Sequence, residues 1–265
     1  KTKFPMKIAV IGSRGYPYVY SGYETFVKEV SERLVKKNIS VVVYCHKELF
    51  KQKPKKVNGI DLIYIPTIQS KSLSQFIHSF FSVIHFCFSD VENLLVVNVA
   101  NAPFGFLTYL FKKKIIINVD GLEWLRPKWK GLGQRYFKFC AKIVKHSFDQ
   151  IVTDSDEMKR VYLENFNTVS NVIKYGAMNS EYGNSKILEK YQLKKDSFYL
   201  LIGRLVPDNN ADVIIKGFLK SYSNKKIVIV GDVPYRSSYS TILKKIKSDN
   251  IIFTGYLNYG NGPSV

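Results

Sequence analysis

Short runs rich in Val and Ile recur at 7–11, 40–44, 62–65, 94–98, 115–119, 150–153 and 172–174, set between longer, mostly helical stretches. Strands that alternate with helices join through right-handed crossovers, and near-continuous apolar strands suit a parallel sheet covered on both faces. The chain is therefore expected to be α/β. Between the first two runs, Tyr23, Phe26, Val27, Val30 and Leu34 repeat at three and four residues, which gives a helix one apolar stripe. Ser21 and Glu24 read as its capping box. After Lys174 the composition turns rich in Gly, Asn and Ser, and a second strand series follows at 199–202, 226–230 and 251–253, with helices near 211–222 and 238–247. Three strands are fewer than the five or six or so of a doubly wound domain, so the second lobe is expected to be partial. The division expected is 1–175 and 176–265.

The charge narrows the partners. Forty Lys and Arg against 21 Asp and Glu give a formal net charge of +19, which points to an anionic partner. The lysines are scattered and no nucleic-acid-binding signature accompanies them, so nucleic acid is disfavoured and an anionic membrane surface fits better. Cys45, Cys87 and Cys140 lie far apart without metal-ligand or disulfide spacing. No signal peptide is expected before the first strand, and no apolar run reaches the roughly 18 residues a membrane span needs. A cytoplasmic protein, peripheral at the inner face of the cell membrane, is expected.

Two strand ends carry candidate chemistry. Ile11-Gly12-Ser13-Arg14-Gly15 and Ile202-Gly203-Arg204-Leu205-Val206-Pro207 each follow an apolar run and precede a helical pattern. Parallel sheets bind ligands outside the carboxyl ends of their strands, where helix N-termini favour anions, so both segments are expected to line one phosphosugar cleft. The first is Gly-x-x-Gly rather than the dinucleotide Gly-x-Gly-x-x-Gly, and Tyr44-Cys45-His46 stands where an acidic ribose ligand belongs, which disfavours nicotinamide chemistry.

Asp120 follows the strand at 115–119 and precedes Gly121, a position that suits either a general base for an acceptor hydroxyl or an Asp-Gly turn. Glu24 suits capping as well as acceptor binding. Glu123, Trp124, Arg126 and Trp129 suit sugar rings or a lipid-linked diphosphate, and the tryptophans suit packing on the sheet equally well. Asp154-Ser155 and Gly231-Asp232 read as helix caps. His78 and His85 lie on an apolar helical pattern with Phe76, Phe80, Phe81 and Phe88, a face for the core or for a membrane interface.

Several segments together resemble GT-B fold glycosyltransferases of family 4, especially bacterial rhamnosyltransferases that build capsule and surface polysaccharides. They are Ile11-Gly12-Ser13-Arg14-Gly15-Tyr16-Pro17, Gly22-Tyr23-Glu24-Thr25-Phe26-Val27, Tyr64-Ile65-Pro66-Thr67-Ile68, Asn101-Ala102-Pro103-Phe104 and Asn118-Val119-Asp120-Gly121-Leu122-Glu123-Trp124. The resemblance implies a Rossmann-like acceptor-binding lobe and a partial nucleotide-sugar-binding lobe. It implies retaining transfer of rhamnose or another hexose, with dTDP-rhamnose the expected donor, to a saccharide on a polyprenyl diphosphate, without metal or other cofactor.

Without a metal, fixed cations and helix ends must neutralise the departing diphosphate, and Arg204, with Gly203, is assigned that role. Gly12, Arg14, Gly15, Tyr23, Glu24, Glu123, Trp124 and Arg126 are assigned to the acceptor, with Asp120 as the candidate base; Gly12 and Gly15 also suit a tight strand-to-helix turn whatever the ligand. Two departures stand out: Asp208-Asn209-Asn210 replaces an expected basic residue, and the Glu-x7-Glu pattern of the second lobe has no counterpart. The alternative expectation is a truncated, non-catalytic binding module.

Overall fold

A computed structural model describes residues 6–17, 22–68, 70, 73–126, 129–176, 186–233 and 237–257. The chain divides into two compact units, Lys1–Gly176 and Ala177–Val265. The first unit runs β1 (Lys7–Ile11), α1 (Gly22–Lys36), β2 (Ser40–His46), β3 (Lys56–Val57), β4 (Ile60–Ile65), α2 (Leu73–Cys87), β5 (Asn93–Val97), α3 (Gly105–Tyr109), β6 (Lys114–Val119), α4 (Leu132–Ser147), β7 (Gln150–Thr153), α5 (Asp156–Phe166) and β8 (Asn171–Val172). Each expected run forms a strand, within a residue or two at its ends. The edge arm β3 was not legible as a strand, because two residues carry no periodicity.

These strands make one sheet in the order β3-β4-β2-β1-β5-β6-β7-β8, parallel throughout except for the antiparallel pair β3 and β4. Alternate residues of each strand enter opposite cores. On one face Ala9, Ile11, Tyr44, Leu94, Val96 and Ile117 pack under Val83 and Phe86 of α2 and Phe137 and Val144 of α4. On the other, Val10, Val41, Val43 and Val97 pack under Val27 of α1. Both faces are thus apolar, which is why the strands read as unbroken Val and Ile rather than as an alternation. Each such side chain contributes roughly 1.5–3 kcal/mol on full burial.

The chain leaves β1 toward β2 and returns to β5 on the other side, so β1 and β5 flank the point where the winding reverses. Their carboxyl ends open the crevice in which sheets of this kind hold ligands.

The second unit carries α6 (Lys186–Lys190), β9 (Phe198–Ile202), α7 (Ala211–Lys220), β10 (Lys226–Val230), α8 (Ser238–Lys244) and β11 (Ile251–Gly255). Its described strands form a parallel sheet in the order β11-β10-β9. Ile215 of α7, Leu243 of α8, Ile227 and Ile229 close its core, with Leu205 and Ala211 at the strand-to-helix turn. Among the described residues no helix is long and apolar enough to cross a membrane.

Candidate functional site

In the first unit the site is built where β1, β5 and β6 end. Gly12 holds φ +107, and a Cβ there would run into the Val97 carbonyl oxygen and lie 2.9 Å from Asn101 Nδ2. Asn101 is fixed there because its amide donates to that same carbonyl, at 2.7 Å. Glycine is therefore demanded by the close approach of β1 to the end of β5. Gly15, at φ +123, is closed in the same way by Cys45, whose Sγ would lie 2.7 Å from a Cβ. Both glycines are buried, and they let three chain segments meet.

Glu24 is also buried, and its Oε1 accepts the Arg14 backbone N–H at 3.2 Å and faces the Arg14 guanidinium at 3.8 Å. It fastens the β1–α1 turn from the first turn of α1, where the helix dipole favours a carboxylate. The Ser21 half of the expected capping box lies outside the described residues. Arg14 itself stays partly open to solvent.

Asp120 stands just beyond β6. Its carboxylate accepts a hydrogen bond from the Tyr23 hydroxyl on α1 and faces the Tyr175 hydroxyl at 3.5 Å, while Tyr175 donates at 2.8 Å to Asn118 Oδ1. The Tyr175 ring meets Phe26 of α1 with centroids 5.3 Å apart. Burial raises the Asp120 carboxyl above its ordinary value; the Tyr23 hydrogen bond opposes this, and the charges of Asp154 and Glu123 reinforce it. Burial and then the Asp120 charge hold the Tyr23 hydroxyl well above the usual phenol range. The result is a half-buried carboxylate of increased basicity, oriented by two tyrosines. Asn118 and Tyr175 complete it, and Tyr175 lies so far along the chain that no local motif announced it.

The loop after Asp120 organises itself. Both oxygens of the buried Glu123 are used, Oε1 by Arg126 Nη1 at 2.6 Å and Oε2 by Trp129 Nε1 at 2.7 Å. Glu123 and Arg126 thus shape the loop from within. Trp124 is only 5% exposed and packs edge-on against Tyr162 at 5.8 Å and Phe166 at 5.2 Å, the packing that its sequence position suited as well as a sugar ring. Trp129 is half-buried against Phe137, at 4.8 Å.

Of the cap expectations, Ser155 caps α5 by accepting the Met158 N–H at 3.3 Å. On α8 the cap is Ser237, while Asp232 instead accepts from Ser240 at 2.9 Å and pairs with Lys244. His78 is fully buried and stacks on His46 with centroids 3.9 Å apart, and His85 shares a 2.9 Å hydrogen bond with Tyr44. The three cysteines are free and buried.

The second unit has its own strand-end turn. Gly203 donates its N–H to the Val230 carbonyl at 3.0 Å, and the Asn209 amide donates to the Arg204 carbonyl at 2.8 Å. Asn209, which stands where a basic residue was expected, therefore pins the turn that carries Arg204. Leu201, Ile202, Gly203, Arg204, Asn209 and Ala211 line a concavity of about 280 Å³. The Arg204 side chain is exposed and makes no ion pair among the described residues. An arginine presented in this way beside a glycine turn can receive a phosphate oxygen pair.

The fold is of the GT-B type, and several solved proteins share it at low identity. Sucrose-phosphate synthase from Thermosynechococcus elongatus superposes with a TM-score of 0.75 at 15% identity, covering 96% of this chain and 71% of that one. The Anabaena protein Alr3699/HepE, solved with UDP and glucose, gives 0.70 at 13% identity, covering 96% and 70%. A UDP-N-acetylglucosamine 2-epimerase from Rickettsia bellii gives 0.57 at 13% identity, covering 95% and 68%, so the architecture alone does not decide the reaction. No curated protein matches the chain. Residues 6–178, which hold the whole Asp120 site, match one family model, and the chain belongs to the family described as "Domain of unknown function (DUF1972)".

Proposed function

We propose that this chain is a glycosyltransferase that moves a hexose from a nucleotide diphosphate sugar to a hydroxyl of a saccharide acceptor. The observation that carries the reading is the Asp120 carboxylate at the carboxyl end of β6, raised in basicity and held by the Tyr23 hydroxyl with Tyr175 beside it. A group of that kind accepts a sugar hydroxyl's hydrogen bond and holds its oxygen for attack. In the second unit the Gly203-Arg204 turn presents the exposed Arg204 guanidinium, which makes no ion pair among the described residues, to the donor diphosphate.

The chemistry balances as a retaining transfer. The bond from the sugar C1 to the diphosphate oxygen breaks while the acceptor oxygen bonds to C1 on the same face, and the acceptor proton passes to the departing phosphate oxygen. Arg204 neutralises the charge that develops on that diphosphate. Asp120 orients the acceptor and shares its proton at the start, and Tyr23 and Tyr175 position Asp120. Arg14, next to Glu24, is placed to meet an anionic part of the acceptor. The resemblance to rhamnosyltransferases narrows the donor to dTDP-rhamnose and the acceptor to a polyprenyl-diphosphate-linked saccharide of surface polysaccharide synthesis.

The test is release of nucleoside diphosphate when the protein is incubated with dTDP-rhamnose or UDP-glucose and a lipid-linked saccharide. Asp120→Asn is expected to lower kcat by about a hundredfold, the scale of a mispositioned reacting group, and Arg204→Ala to raise KM for the donor as well. Turnover undiminished in both variants would refute the assignment.

A further inference from the structure

Acidic side chains are unevenly spread over the helices of the first unit. α1 carries Glu24, Glu29 and Glu32, and α5 carries Asp156, Glu157 and Glu164, whereas α2, α3 and α4 contain no Asp or Glu. These three acid-free helices lie side by side on one face of the sheet: Phe76 of α2 meets Tyr136 of α4 at 6.4 Å, and Gly105 of α3 abuts Ser147 of α4.

The outer surface of this layer is both apolar and basic. At the ends of α2 and α3, Phe88 is 78% exposed, Tyr109 82% and Leu110 80%, and Phe88 stacks edge-on with Phe111 at 5.1 Å. Lys112 and Lys114 are exposed beside them, and Lys113 donates to the Ser89 and Val91 carbonyls at 2.8 Å each, which ties this tip to the sheet. Along α4, Arg135, Lys138 and Lys142 are exposed around the half-exposed Phe139. Acids return at the amino ends of the strands, at Asp90, Glu92 and Asp149, and on α5, whose Glu164 shares a concavity with Arg135, Lys138 and Lys142; Asp90 pairs with Lys7 at 2.9 Å, Asp149 accepts the Ile115 N–H at 2.7 Å and Glu164 pairs with Arg160 at 2.7 Å.

A surface that exposes large aromatic side chains to water is an interaction surface by default. Cations ringing them and the exclusion of acids from three successive helices select an anionic occupant. Apolar side chains that must enter hydrocarbon, with lysines at headgroup depth, suit a lipid interface better than an acidic protein. We infer that the outer face of α2, α3 and α4 docks on an anionic bilayer, with Phe88, Tyr109 and Leu110 inserted and Lys112, Lys138 and Lys142 on the headgroups. This would hold the enzyme proposed above at the membrane that carries its acceptor. It rests on that reading for its purpose, while its physical basis is the composition of the face.

The experiment is sedimentation of the whole chain with vesicles of phosphatidylcholine containing about a third phosphatidylglycerol, set against pure phosphatidylcholine. Wild type is expected to bind the anionic vesicles and to release as salt rises. Phe88→Ser/Leu110→Ser and Lys138→Glu/Lys142→Glu should each weaken binding about tenfold or more, with unchanged circular dichroism. Tyr222→Ser, which removes an exposed aromatic of the second unit, should leave it unaltered. Failure of wild type to bind anionic vesicles, or equal binding by both double variants, overturns the inference. So does self-association abolished by Phe88→Ser/Leu110→Ser without vesicle binding, which would mark a second copy as the occupant. Nucleotide titration without vesicles reports separately on the enzymatic reading.

Discussion

Tyr23→Phe removes one hydroxyl and tests whether Asp120 is held as described. The lost bond joins a phenol to a half-buried carboxylate, and hydrogen bonds to charged groups contribute about 1.5–3 kcal/mol net. Tyr175 faces the same carboxylate at 3.5 Å, beyond good hydrogen-bond length, and its hydroxyl already donates to Asn118, so it cannot take over in full. The variant is therefore expected to lose about 2 kcal/mol of stability. Against Asp120→Asn in a double-mutant cycle, the coupling should be of the same order. Both tryptophans, Trp124 and Trp129, lie in the first unit, so tryptophan fluorescence during urea unfolding reports that unit by itself. A coupling energy below about 0.5 kcal/mol would mean that the two side chains act independently, and the oriented carboxylate would be lost with them.

Gly12→Ala places a methyl group against the Val97 carbonyl at a φ that side chains disfavour, and is expected to cost about 3 kcal/mol or more, read as a fall in the urea midpoint of the same fluorescence signal. Acid should destabilise the first unit through its stacked histidines. Burial lowers His46 to about 4 and His78 to about 3, with the Arg14 charge adding to the effect at His46 and the His46 ring at His78. Unfolded imidazoles protonate near about 6.5, so the stability these rings confer is complete above that pH and is lost as pH falls toward 4. Each ring contributes a slope of up to about 1.4 kcal/mol per pH unit in that window. His78→Phe should therefore roughly halve the slope between pH 6.5 and 5, and an unchanged slope would assign the acid sensitivity to other groups.

Strand positions were legible because a sheet buried on both faces demands apolar residues at nearly every position, which Val10 and Ile11 satisfy by entering opposite cores. Asp120 was legible because it follows such a strand directly. The direction of a loop side chain was not: Trp124 and Trp129 are near neighbours, yet one is buried among Tyr162 and Phe166 while the other closes on Glu123, and no periodicity distinguishes them. Tyr175 enters the site from beyond β8, and His46 meets His78 across two elements, so both depend on tertiary placement. The glycines of the first turn suited either a ligand's approach or a tight turn, and sequence alone does not show what surrounds them. The room they make is filled by Val97, Asn101 and Cys45.

The reading of the second unit as a donor site is tested most directly by calorimetric titration of the chain with UDP, dTDP and GDP, in parallel with Arg204→Ala. The account predicts measurable binding of at least one nucleotide and its weakening about tenfold or more when the guanidinium is removed, the loss expected for a charged hydrogen-bonded pair. Binding indifferent to Arg204→Ala, or no binding by any of the three nucleotides, would contradict it.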